Sequence, residues 1–386
     1  MSWNGVHDVP IGECCTLING RVFKPEEWSD EGLPIVRIQN LRDPLKPFKR
    51  YDGGVEERHL IDSGALLFSW SGNPDTSFGA HFWWRGRAIL NQHIFRVNVD
   101  PERVDARYLC YALNHRLSEV IARARGGAGV KHIKRGQLEA VTLPLPQLPE
   151  QRRLATILDR AHALKIKRRR ALELCDELIR ATYLEMFGDP LSQASLWTES
   201  ALGELVEIQL GKMVTPEAKR GDRPVPYLGN AQVRWRRFEL SDIPQMDFTD
   251  AELHRYELSE GDLLLCEGGE VGRCAIWRGA SSPIAFQKAL YRVRCDATLL
   301  CPEYLQETLM LIATRGGLER VTRTATIGHL SSAELRALPV PLPPHALQED
   351  FRRLYHKFEQ LRSRLERAAD DQLSEALIQR AFRGEL

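Results

Sequence analysis

An internal repeat constrains the fold of this chain more than any other feature of its sequence. The stretch 11–184 has a degenerate copy at 202–382. The segments that match are 61–67 with 258–264, Asn91-Gln92 with Phe286-Gln287, 95–97 with 291–293, and Tyr108-Leu109 with Tyr304-Leu305. In both copies, short β-branched and aromatic runs are broken by glycine, asparagine, aspartate and proline, which is typical of irregular strands. The repeat therefore predicts two similar globular domains.

Each copy ends at a proline-rich junction. The junction sequences are Leu143-Pro144-Leu145-Pro146 and Val340-Pro341-Leu342-Pro343, and a glutamine follows each one at the same distance, Gln151 and Gln348. Because proline fixes its own φ and lacks an N–H group, a Leu-Pro-x-Pro segment should be extended. Each junction is predicted to form a stiff neck between a globular domain and a helix.

A long helix is predicted after each junction. The first runs from about Pro149 to Met186, before the stop signal Gly188-Asp189-Pro190, and the second from about Ala346 to Phe382. The second helix has apolar residues at alternating spacings of four and three, at Leu347, Phe351, Leu354, Phe358, Leu361, Leu365 and Ala368. The first helix has a looser series, at Leu154, Leu158, Ala161, Lys165, Arg168, Leu172, Cys175 and Ile179. This spacing is typical of a coiled coil.

The predicted fold class is α+β, with two globular mixed α/β domains joined by two long antiparallel helices. The helices are expected to form an intramolecular coiled coil with pseudo-twofold symmetry, a rod about 55 Å long at a rise of about 1.5 Å per residue. The predicted boundaries are 1–147 for the first domain, 148–190 for the central helix, 191–344 for the second domain and 345–386 for the C-terminal helix. A helical bundle packed on the domains is the alternative. The mid-helix basic run 165–170 favours the rod, since it needs solvent or a partner.

Composition argues against several classes of protein. No apolar run approaches the roughly 20 residues that span a bilayer, and the segment Met1–Pro10 lacks the order of a signal peptide, so a cytoplasmic location is expected. The 8 cysteines form no CxxC pair, and no paired-histidine motif stands at zinc-ligand spacing, so free thiols and no metal site are expected.

The net charge is only +1, but arginines cluster beside aromatics and glycines. Nucleic-acid binding requires a basic face rather than a basic total.

The sequence contains no convincing catalytic motif. The segment 71–75, Ser-Gly-Asn-Pro-Asp, lacks the second proline and the aromatic residue of a methyltransferase turn. No GxxxxGK[ST] phosphate loop is present, and the spacing in Gly268-Gly269-Glu270-Val271-Gly272 does not fit a dinucleotide site. Glu217-Ala218-Lys219 has the Glu-x-Lys order of a nuclease motif, but no Pro-Asp strand precedes it. A chain without an active site or a cofactor of its own is predicted.

The helical segment resembles the specificity subunits of type I restriction–modification systems. The resemblance covers nearly the whole chain, and its specific part is the junction followed by Glu150-Gln151-Arg152-Arg153. It continues through Ile157-Leu158-Asp159, Ala163-Leu164, Lys167-Arg168-Arg169 and Phe187-Gly188-Asp189-Pro190. The second helix departs from this pattern, because it begins Gln348-Glu349-Asp350 without paired arginines.

The resemblance implies a function in DNA recognition. The two globular domains would be target-recognition domains that read a bipartite, asymmetric site on double-stranded DNA. The helices would bind two copies of a modification methyltransferase subunit, which holds S-adenosylmethionine, and a restriction and translocase subunit would join the full complex. The chain itself would be a non-catalytic specificity subunit with no membrane partner.

Basic residues interspersed with glycine are the predicted DNA contacts, because glycine lets backbone N–H groups approach phosphate and the cations neutralise it. In the first copy they are Arg123, Arg125, Gly127, Lys131, His132 and Lys134, and in the second copy Arg315, Arg320, Arg323, Thr326 and His329. Two tryptophan–arginine clusters add Arg85, Arg87, Arg234 and Arg236. Weaker candidates for base contacts are Gln39, Asn40, Asn73, Asn230 and Gln232. The alternatives are ordinary solvated loops and exposed strand edges.

Two other functions remain open at the level of sequence. One is a coiled-coil adaptor that binds only protein. The basic, glycine-bearing segment in each copy argues against it. The other is a fused endonuclease or methylase with an unrecognised motif, against which the absent catalytic motifs count. Methylation of plasmid DNA with and without a methyltransferase partner separates the three hypotheses.

Overall fold

The computed structural model describes residues 6–43, 45–127, 130–192, 197–219, 221, 223–279, 283–320, 328–368 and 371–386. The chain divides into two compact units. The first unit comprises 1–169 with 369–386, and the second unit comprises 170–368. Each unit therefore contains one copy of the repeated globular part together with segments of both long helical regions. Among the described residues, no helix combines the length and apolar character that a membrane crossing requires.

The first unit consists of short strands and helices that lead into a long helix. Its strands are β1 (Asp8–Pro10), β2 (Cys15–Asn19), β3 (Leu33–Val36), β4 (Lys49–Tyr51), β5 (Leu60–Ile61), β6 (Leu66–Ser69), β7 (Ser71–Gly72), β8 (Gly79–Phe82), β9 (Ala88–Leu90), β10 (Ile94–Val99), β11 (Arg125–Gly127), β12 (Val130–His132) and β13 (Thr142–Pro144). Its helices are α1 (Ile38–Arg42), α2 (Pro74–Ser77), α3 (Ala106–His115), α4 (Leu117–Arg123) and α5 (Arg135–Glu139). The long helix α6 (Leu148–Phe187) follows and continues into the second unit.

The second unit repeats the main elements of the first, with a four-stranded sheet, a helix after it, and a junction strand that leads into a long helix. Its strands are β14 (Glu199–Ala201), β15 (Val206–Leu210), β16 (Pro224–Leu228), β17 (Val233–Arg234), β18 (Arg237–Phe238), β19 (Gln245–Asp247), β20 (Leu263–Cys266), β21 (Cys274–Ile276), β22 (Ala285–Phe286), β23 (Leu290–Cys295) and β24 (Pro339–Pro341). Its helices are α7 (Leu202–Leu205), α8 (Asp250–Tyr256), α9 (Pro302–Thr314), α10 (Ser332–Ala337) and α11 (His345–Ala368). Helix α12 (Asp371–Arg383) belongs to the first unit.

The sheets confirm the predicted repeat. A four-stranded sheet of order β2-β10-β6-β8 in the first unit corresponds to β15-β23-β20-β21 in the second. In each unit the first strand pairs with the junction strand, β1 with β13 and β14 with β24, and one parallel pair occurs, β3 with β9 and β16 with β22. The mixed α and β composition expected from the sequence is thus present in both units.

The parallel pair corrects one detail of the predicted alignment. Arg21 bridges Asn91 in the first unit, and Lys212 bridges Gln287 in the second. Asn91 therefore corresponds to Gln287, one position away from the alignment of Asn91-Gln92 with Phe286-Gln287. The error arose because both copies have a glutamine here, and matching the two glutamines by identity shifts the register by one residue.

Strand β20, an inner strand of the four-stranded sheet of the second unit, is apolar along its whole length and has both faces covered. In β20, Leu263 and Leu265 face a core that includes the helices, whereas Leu264 and Cys266 face a second core. All four residues are buried. This alternation between two cores places the loops at the strand ends, including Glu267 onward, at the surface of the unit.

The two glutamines after the junctions, Gln151 and Gln348, perform the same structural task in their units. Both side chains are fully buried. Gln151 accepts from the backbone N–H of Asp105 at 2.8 Å and donates to the carbonyls of Arg103 at 3.0 Å and Pro146 at 2.8 Å. Gln348 makes the equivalent bonds, at 2.9 Å to the N–H of Cys301 and 3.1 and 2.9 Å to the carbonyls of Leu299 and Pro343. We call them the junction glutamines; they bind only main-chain atoms.

Within each unit, two helical segments run antiparallel. In the second unit Phe187 contacts Phe351, and further along the two helices Asp176 lies near Arg362. In the first unit the Arg153 guanidinium donates to the carbonyl of Leu386 at 2.8 Å. Further along the two segments there, Leu158 and Ala161 lie across a cavity from Ile378 and Glu375. The antiparallel direction is as predicted from the sequence.

The helices confirm the predicted stop signals and correct one predicted seam. Helix α6 ends at Phe187, and Gly188 adopts φ +80°, a left-handed conformation that favours glycine. In α6 the buried positions Leu154, Leu158, Cys175 and Ile179 match the predicted seam.

The predicted seam of the second helix was wrong at alternate positions. Leu354 and Leu361 are 36% and 47% exposed, whereas Tyr355 and Arg362, one position further along, are buried with Phe351. The actual seam is Gln348, Phe351, Tyr355, Phe358, Arg362 and Leu365, which keeps the alternating spacing. Counting only apolar residues missed it, because the polar tips of tyrosine and arginine are paired inside: Gln306 donates to the Tyr355 hydroxyl at 2.8 Å, and Arg362 pairs with Glu359 at 3.2 Å.

Candidate nucleic-acid interface

The glycine-rich basic segment of the first unit forms a hairpin on the surface, made of β11 and β12. Arg125 lies opposite His132, and Gly126 lies opposite Lys131. Strand β12 also pairs with β7, where Lys131 lies opposite Gly72, so the hairpin is the outer part of a three-stranded sheet. Arg125 and His132 are exposed and Lys131 is half-buried. We call this element the cationic hairpin; it presents positive side chains as the sequence predicts.

Polar atoms without partners lie directly beside the cationic hairpin. Ile133, the residue after the hairpin, donates its N–H to the carbonyl of Trp70 at 3.1 Å, and Trp70 in turn donates to the carbonyl of His93 at 3.2 Å. Trp70 Nε1, Gln92 Oε1 and His93 Nδ1 are shielded from solvent and have no hydrogen-bond partner among the described residues. An unpaired buried polar atom costs about 1–3 kcal/mol, so a ligand that pairs with these atoms after a small side-chain rotation binds favourably.

The chemistry of this polar cluster suits the edge of a base. Burial, with a further contribution from the nearby Arg37 guanidinium, lowers the pKa of His93. The amide nitrogen of Gln92 lies 3.2 Å from His93 Nε2 and donates to that ring nitrogen. The atoms left for a ligand are the Gln92 amide oxygen, an acceptor, and His93 Nδ1, which carries the proton of the neutral ring. A donor and an acceptor on adjacent residues can pair with the edge of a base. In the sequence, Asn91-Gln92 served only to align the two copies. The order of residues does not show whether a polar side-chain atom has a partner.

The second unit has a different set of groups at the same place. His329 bridges Gly268, and Leu330 donates to the carbonyl of Glu267 at 2.8 Å, which matches the pairing of His132 with Ser71 and of Ile133 with Trp70. A Cβ on Gly268 would lie 2.8 Å from His329 Nδ1, so any larger residue here would have to displace the His329 ring.

Two side chains near Gly268 again have unpaired buried atoms. They are Asn230 Oδ1 and Arg273 Nε, which have no partner in the described part of the chain. Asn230 donates to the carbonyl of Gly268 at 3.1 Å, and Arg273 donates to the carbonyl of Asn230 at 2.8 Å, so both side chains are held at the Gly268 turn. Asn230 was among the weak sequence-based candidates, whereas Arg273 was missed.

Some members of the tryptophan–arginine cluster of the first unit make contacts within the unit, and others are exposed. Trp83 is buried and donates to the carbonyl of Gly86 at 2.6 Å, while Trp84 is 70% exposed. The Arg85 guanidinium lies 4.9 Å from the centre of the Trp83 ring and also donates to the carbonyl of Asn40. Arg87 is exposed, 3.5 Å from Glu57. Arg87 and Trp84 are therefore the members of this cluster that are most open to a ligand.

Arg236 of the second cluster is an interior residue. It is 8% exposed and has φ +63°, and its guanidinium contacts Glu307 at 2.6 Å and Asp176 at 2.9 Å. Glu307 is itself 1% exposed. The sequence-based proposal that Arg236 contacts DNA does not fit this burial, since its guanidinium is held by the buried Glu307 carboxylate and by the more exposed Asp176. Its neighbour Arg234 is half-buried in the β17–β18 hairpin.

The remaining basic candidates lie around these elements. Arg123 pairs with Glu119 at 2.8 Å, Lys134 is exposed after the cationic hairpin, and Arg315 pairs with Asp189 at 2.6 Å. Gly127 closes β11. Arg323, Thr326 and the side chain of Arg320 lie outside the described residues.

The other amide candidates are used by local structure. Asn40 is fully buried, accepts from the N–H of Arg37 at 3.2 Å and donates to the carbonyl of Lys46 at 3.1 Å. Asn73 caps α2 by accepting from the N–H of Asp75 at 2.9 Å. Gln232 bonds the backbone of Gly229 and Asp242. Gln39 is exposed.

Comparison with known proteins finds relatives of this arrangement. Residues 4–174 match the family described as type I restriction modification DNA specificity domain. The specificity subunit of the type I restriction enzyme EcoBI of Escherichia coli is 22% identical over 421 residues, which cover 99% of this chain and 87% of the relative. The EcoKI specificity subunit of Escherichia coli strain K12 is 22% identical over 415 residues, which cover 98% and 88%.

Solved structures share the fold over the whole length. The S subunit of a type I restriction–modification system from M. genitalium aligns with a TM-score of 0.65 at 16% identity, covering 98% of this chain and 96% of that one. A structure that describes complex assembly and conformational transition of the type I R-M system aligns with a TM-score of 0.53 at 18% identity, covering 100% of both chains. The first copy of the repeat thus matches a type I restriction modification DNA specificity domain, and nearly the whole chain is similar to type I restriction enzyme specificity subunits.

Proposed function

We propose that this chain is the DNA-recognition subunit of a type I restriction–modification complex, and that each unit reads one half of a bipartite, asymmetric site on double-stranded DNA. The observation that carries the proposal is the pair of equivalent surfaces with unlike polar groups. Trp70, Gln92 and His93 in the first unit correspond in place to the Gly268 turn with Asn230 and Arg273 in the second. Different donors and acceptors on one framework read different bases.

Phosphate contacts are assigned to the cations around these surfaces. In the first unit they are Arg125, Lys131, His132 and Lys134, with Arg87 and Arg123 at the margin. In the second unit His329 takes the place of His132, and Arg234, Arg315, Arg320, Arg323 and Thr326 are the further candidates. Such contacts set affinity and register and carry no base identity directly.

Recruitment of the methyltransferase is assigned to the helices. Leu174 and Leu178 of α6 are 43% and 46% exposed and lie one turn apart on one face, and Leu354 and Leu361 of α11 are 36% and 47% exposed and two turns apart. Exposed leucines in such rows are typical of surfaces that another protein covers. The partner supplies S-adenosylmethionine and the catalytic residues, so the chain is not an enzyme. We place the complex in the cytoplasm, where its DNA substrate lies.

The test is methylome sequencing of a host that expresses the chain with its partner methyltransferase subunit. The expected result is one methylated motif made of two short, unlike half-sites separated by an unread spacer. Purified chain alone, incubated with labelled S-adenosylmethionine and DNA that contains the motif, should transfer no label. A continuous motif, or label transfer that co-purifies with the chain, contradicts the proposal.

A second experiment tests the helical surface. The double variant Leu174→Glu/Leu178→Glu should lose methyltransferase binding in a pull-down while keeping its own fold by circular dichroism. Glu177→Gln, an exposed change between the two leucines, is the matched control and should keep binding. If the double variant binds the methyltransferase as well as the parent does, the part of α6 in the second unit does not belong to the binding surface.

A further inference from the structure

Three potential metal ligands converge at the neck of the second unit. The Cys301 thiol lies 3.7 Å from His345 Nε2 and 3.3 Å from Glu349 Oε1, and the latter two atoms are 3.8 Å apart. Zinc in a tetrahedral site has bonds of about 2.3 Å to sulfur and about 2.0–2.2 Å to nitrogen and oxygen, which sets the ligand atoms about 3.3–3.6 Å from one another. The observed triangle therefore accommodates a zinc ion with shifts of a few tenths of an ångström.

The ligands come from two elements whose positions are already fixed. Cys301 directly precedes α9 and is 2% exposed, and its N–H is bonded to the junction glutamine Gln348 at 2.9 Å. His345 begins α11, and Glu349 follows one turn later on the same face. The histidine and glutamate side chains are 35% and 24% exposed, so the site is open on one side, where a water molecule can be the fourth ligand.

Charge and orientation also suit a divalent ion. A Cys301 thiolate and the Glu349 carboxylate together balance two positive charges, and His345 coordinates as a neutral ring. Arg352 contacts the other carboxylate oxygen, Glu349 Oε2, at 2.7 Å, which leaves Oε1 directed towards the thiol. Such partners of a ligating carboxylate orient it and strengthen metal binding. The thiolate selects zinc over magnesium or calcium, which prefer oxygen ligands alone.

The first unit provides an internal comparison. The junction glutamines align Cys301 with Asp105, His345 with Leu148 and Glu349 with Arg152. Asp105 caps α3 by accepting from the N–H groups of Arg107 at 3.0 Å and Tyr108 at 3.1 Å. Cys301 makes no such cap. All three positions thus differ together, and the second unit has a ligand set where the first has a helix cap, a leucine and an arginine.

We propose that Cys301, His345 and Glu349 bind one zinc ion, which joins the start of α11 to the start of α9. This site is independent of the DNA surface. Without metal the thiol donates its hydrogen bond to Glu349, and on binding the zinc takes the place of that proton. The ion fixes the entry of the second long helix against its recognition domain, in addition to the bonds of Gln348.

The test is zinc titration of the full-length chain after chelator treatment and dialysis. The parent should bind one zinc per chain that added magnesium does not displace. His345→Leu, which installs the residue of the first unit, and Cys301→Ser should each weaken binding by at least about 100-fold, beyond the roughly 10-fold expected for Arg352→Ala. Cys110→Ser removes a thiol of the first unit and should bind like the parent.

Cobalt gives a readout of the thiolate itself. Cobalt(II) added to the parent should produce a thiolate charge-transfer band in the near ultraviolet, which Cys301→Ser abolishes and Cys110→Ser retains. Zinc should also raise the melting temperature of the parent and leave that of His345→Leu unchanged, while the metal-free forms melt alike. Failure of the parent to bind zinc at micromolar concentration, or parent-like binding by His345→Leu, overturns the proposal.

Discussion

The two units have the same framework and different surfaces. Gln151 and Gln348 make the same three kinds of bond, and Tyr108 and Tyr304 each donate a hydroxyl to the carbonyl of a junction proline, at 2.6 and 2.7 Å. The proposed reading surfaces differ by contrast: among the described residues, unpaired buried atoms there belong to Trp70, Gln92 and His93 in one unit and to Asn230 and Arg273 in the other. The groups that hold a unit together are thus separate from those proposed to read DNA.

The largest difference between the units is expected at Arg236. Arg236→Ala leaves the buried Glu307 carboxylate without its partner, and removing one member of a buried pair costs about 3–5 kcal/mol. In the first unit the residue that corresponds to Glu307 is Tyr111, whose hydroxyl donates to Asp159 at 2.9 Å, and Tyr111→Phe should cost only about 1 kcal/mol. Urea unfolding of both variants measures the two costs.

A double variant shows whether the cost at Arg236 comes from the unpaired charge. Arg236→Met combined with Glu307→Leu replaces the pair by apolar side chains and should recover most of the lost stability. If Arg236→Ala is as stable as the parent but weakens DNA binding, then Arg236 is a DNA contact as the sequence suggested, and its burial does not describe the working state.

The junction glutamines should give equal effects in the two units. Gln151→Leu and Gln348→Leu keep the side-chain volume but leave main-chain N–H and C=O groups unpaired, so each should lower the free energy of unfolding by about 2–3 kcal/mol. The measurement is denaturant unfolding of each variant with zinc absent. A difference of more than about 1 kcal/mol between the two would show that the frameworks are not equivalent.

Variants in the two recognition surfaces should affect different half-sites. His93→Ala and Gln92→Ala should relax the sequence requirement of one half-site only, and Asn230→Ala that of the other, since a good base contact contributes about 1–3 kcal/mol of discrimination. The readout is the methylome of each variant. His162→Ala, an exposed change on α6, is the control and should leave both half-sites unchanged. A variant that alters both half-sites contradicts the assignment of one half-site to each unit.

The smallest effect is expected at a single phosphate contact. Lys131→Ala should weaken DNA binding without changing the motif, and should lower the slope of log K against log salt by about one. Arg320→Ala is the matched change in the second unit. The measurement is binding of the assembled complex at several salt concentrations, with Lys357→Ala on α11 as the control. Affinity and slope equal to the parent would identify Lys131 as an ordinary surface cation.

The framework was predictable from sequence because it depends on local signals and on repetition. The prolines, the glutamine at fixed distance and the Gly188 stop signal each act within a few residues, and the repeat allows one copy to support the other. The cluster of cations around Gly126 and Lys131 was predictable for the same reason, whereas its pairing as a hairpin became apparent only in the structure.

The parts that sequence did not predict depend on distant partners. Arg236 is surface-like in its own segment, and only Glu307, 71 residues away, shows that it belongs to the interior. Cys301 and His345 are 44 residues apart and fit no zinc motif, so spacing could not bring them together. Nothing in the sequence distinguishes Gln92 and His93, and only the structure shows that Gln92 Oε1 and His93 Nδ1 lack partners among the described residues.

The main-chain bonding of the junction glutamines has a consequence for inheritance. Because Gln151 and Gln348 recognise carbonyl and N–H groups that every amino acid carries, any domain with the same backbone path can be attached at either junction. A genetic crossover within the codons of a junction would exchange a whole reading surface and leave the helix that follows unaltered. One event would then give a new DNA specificity without a new scaffold.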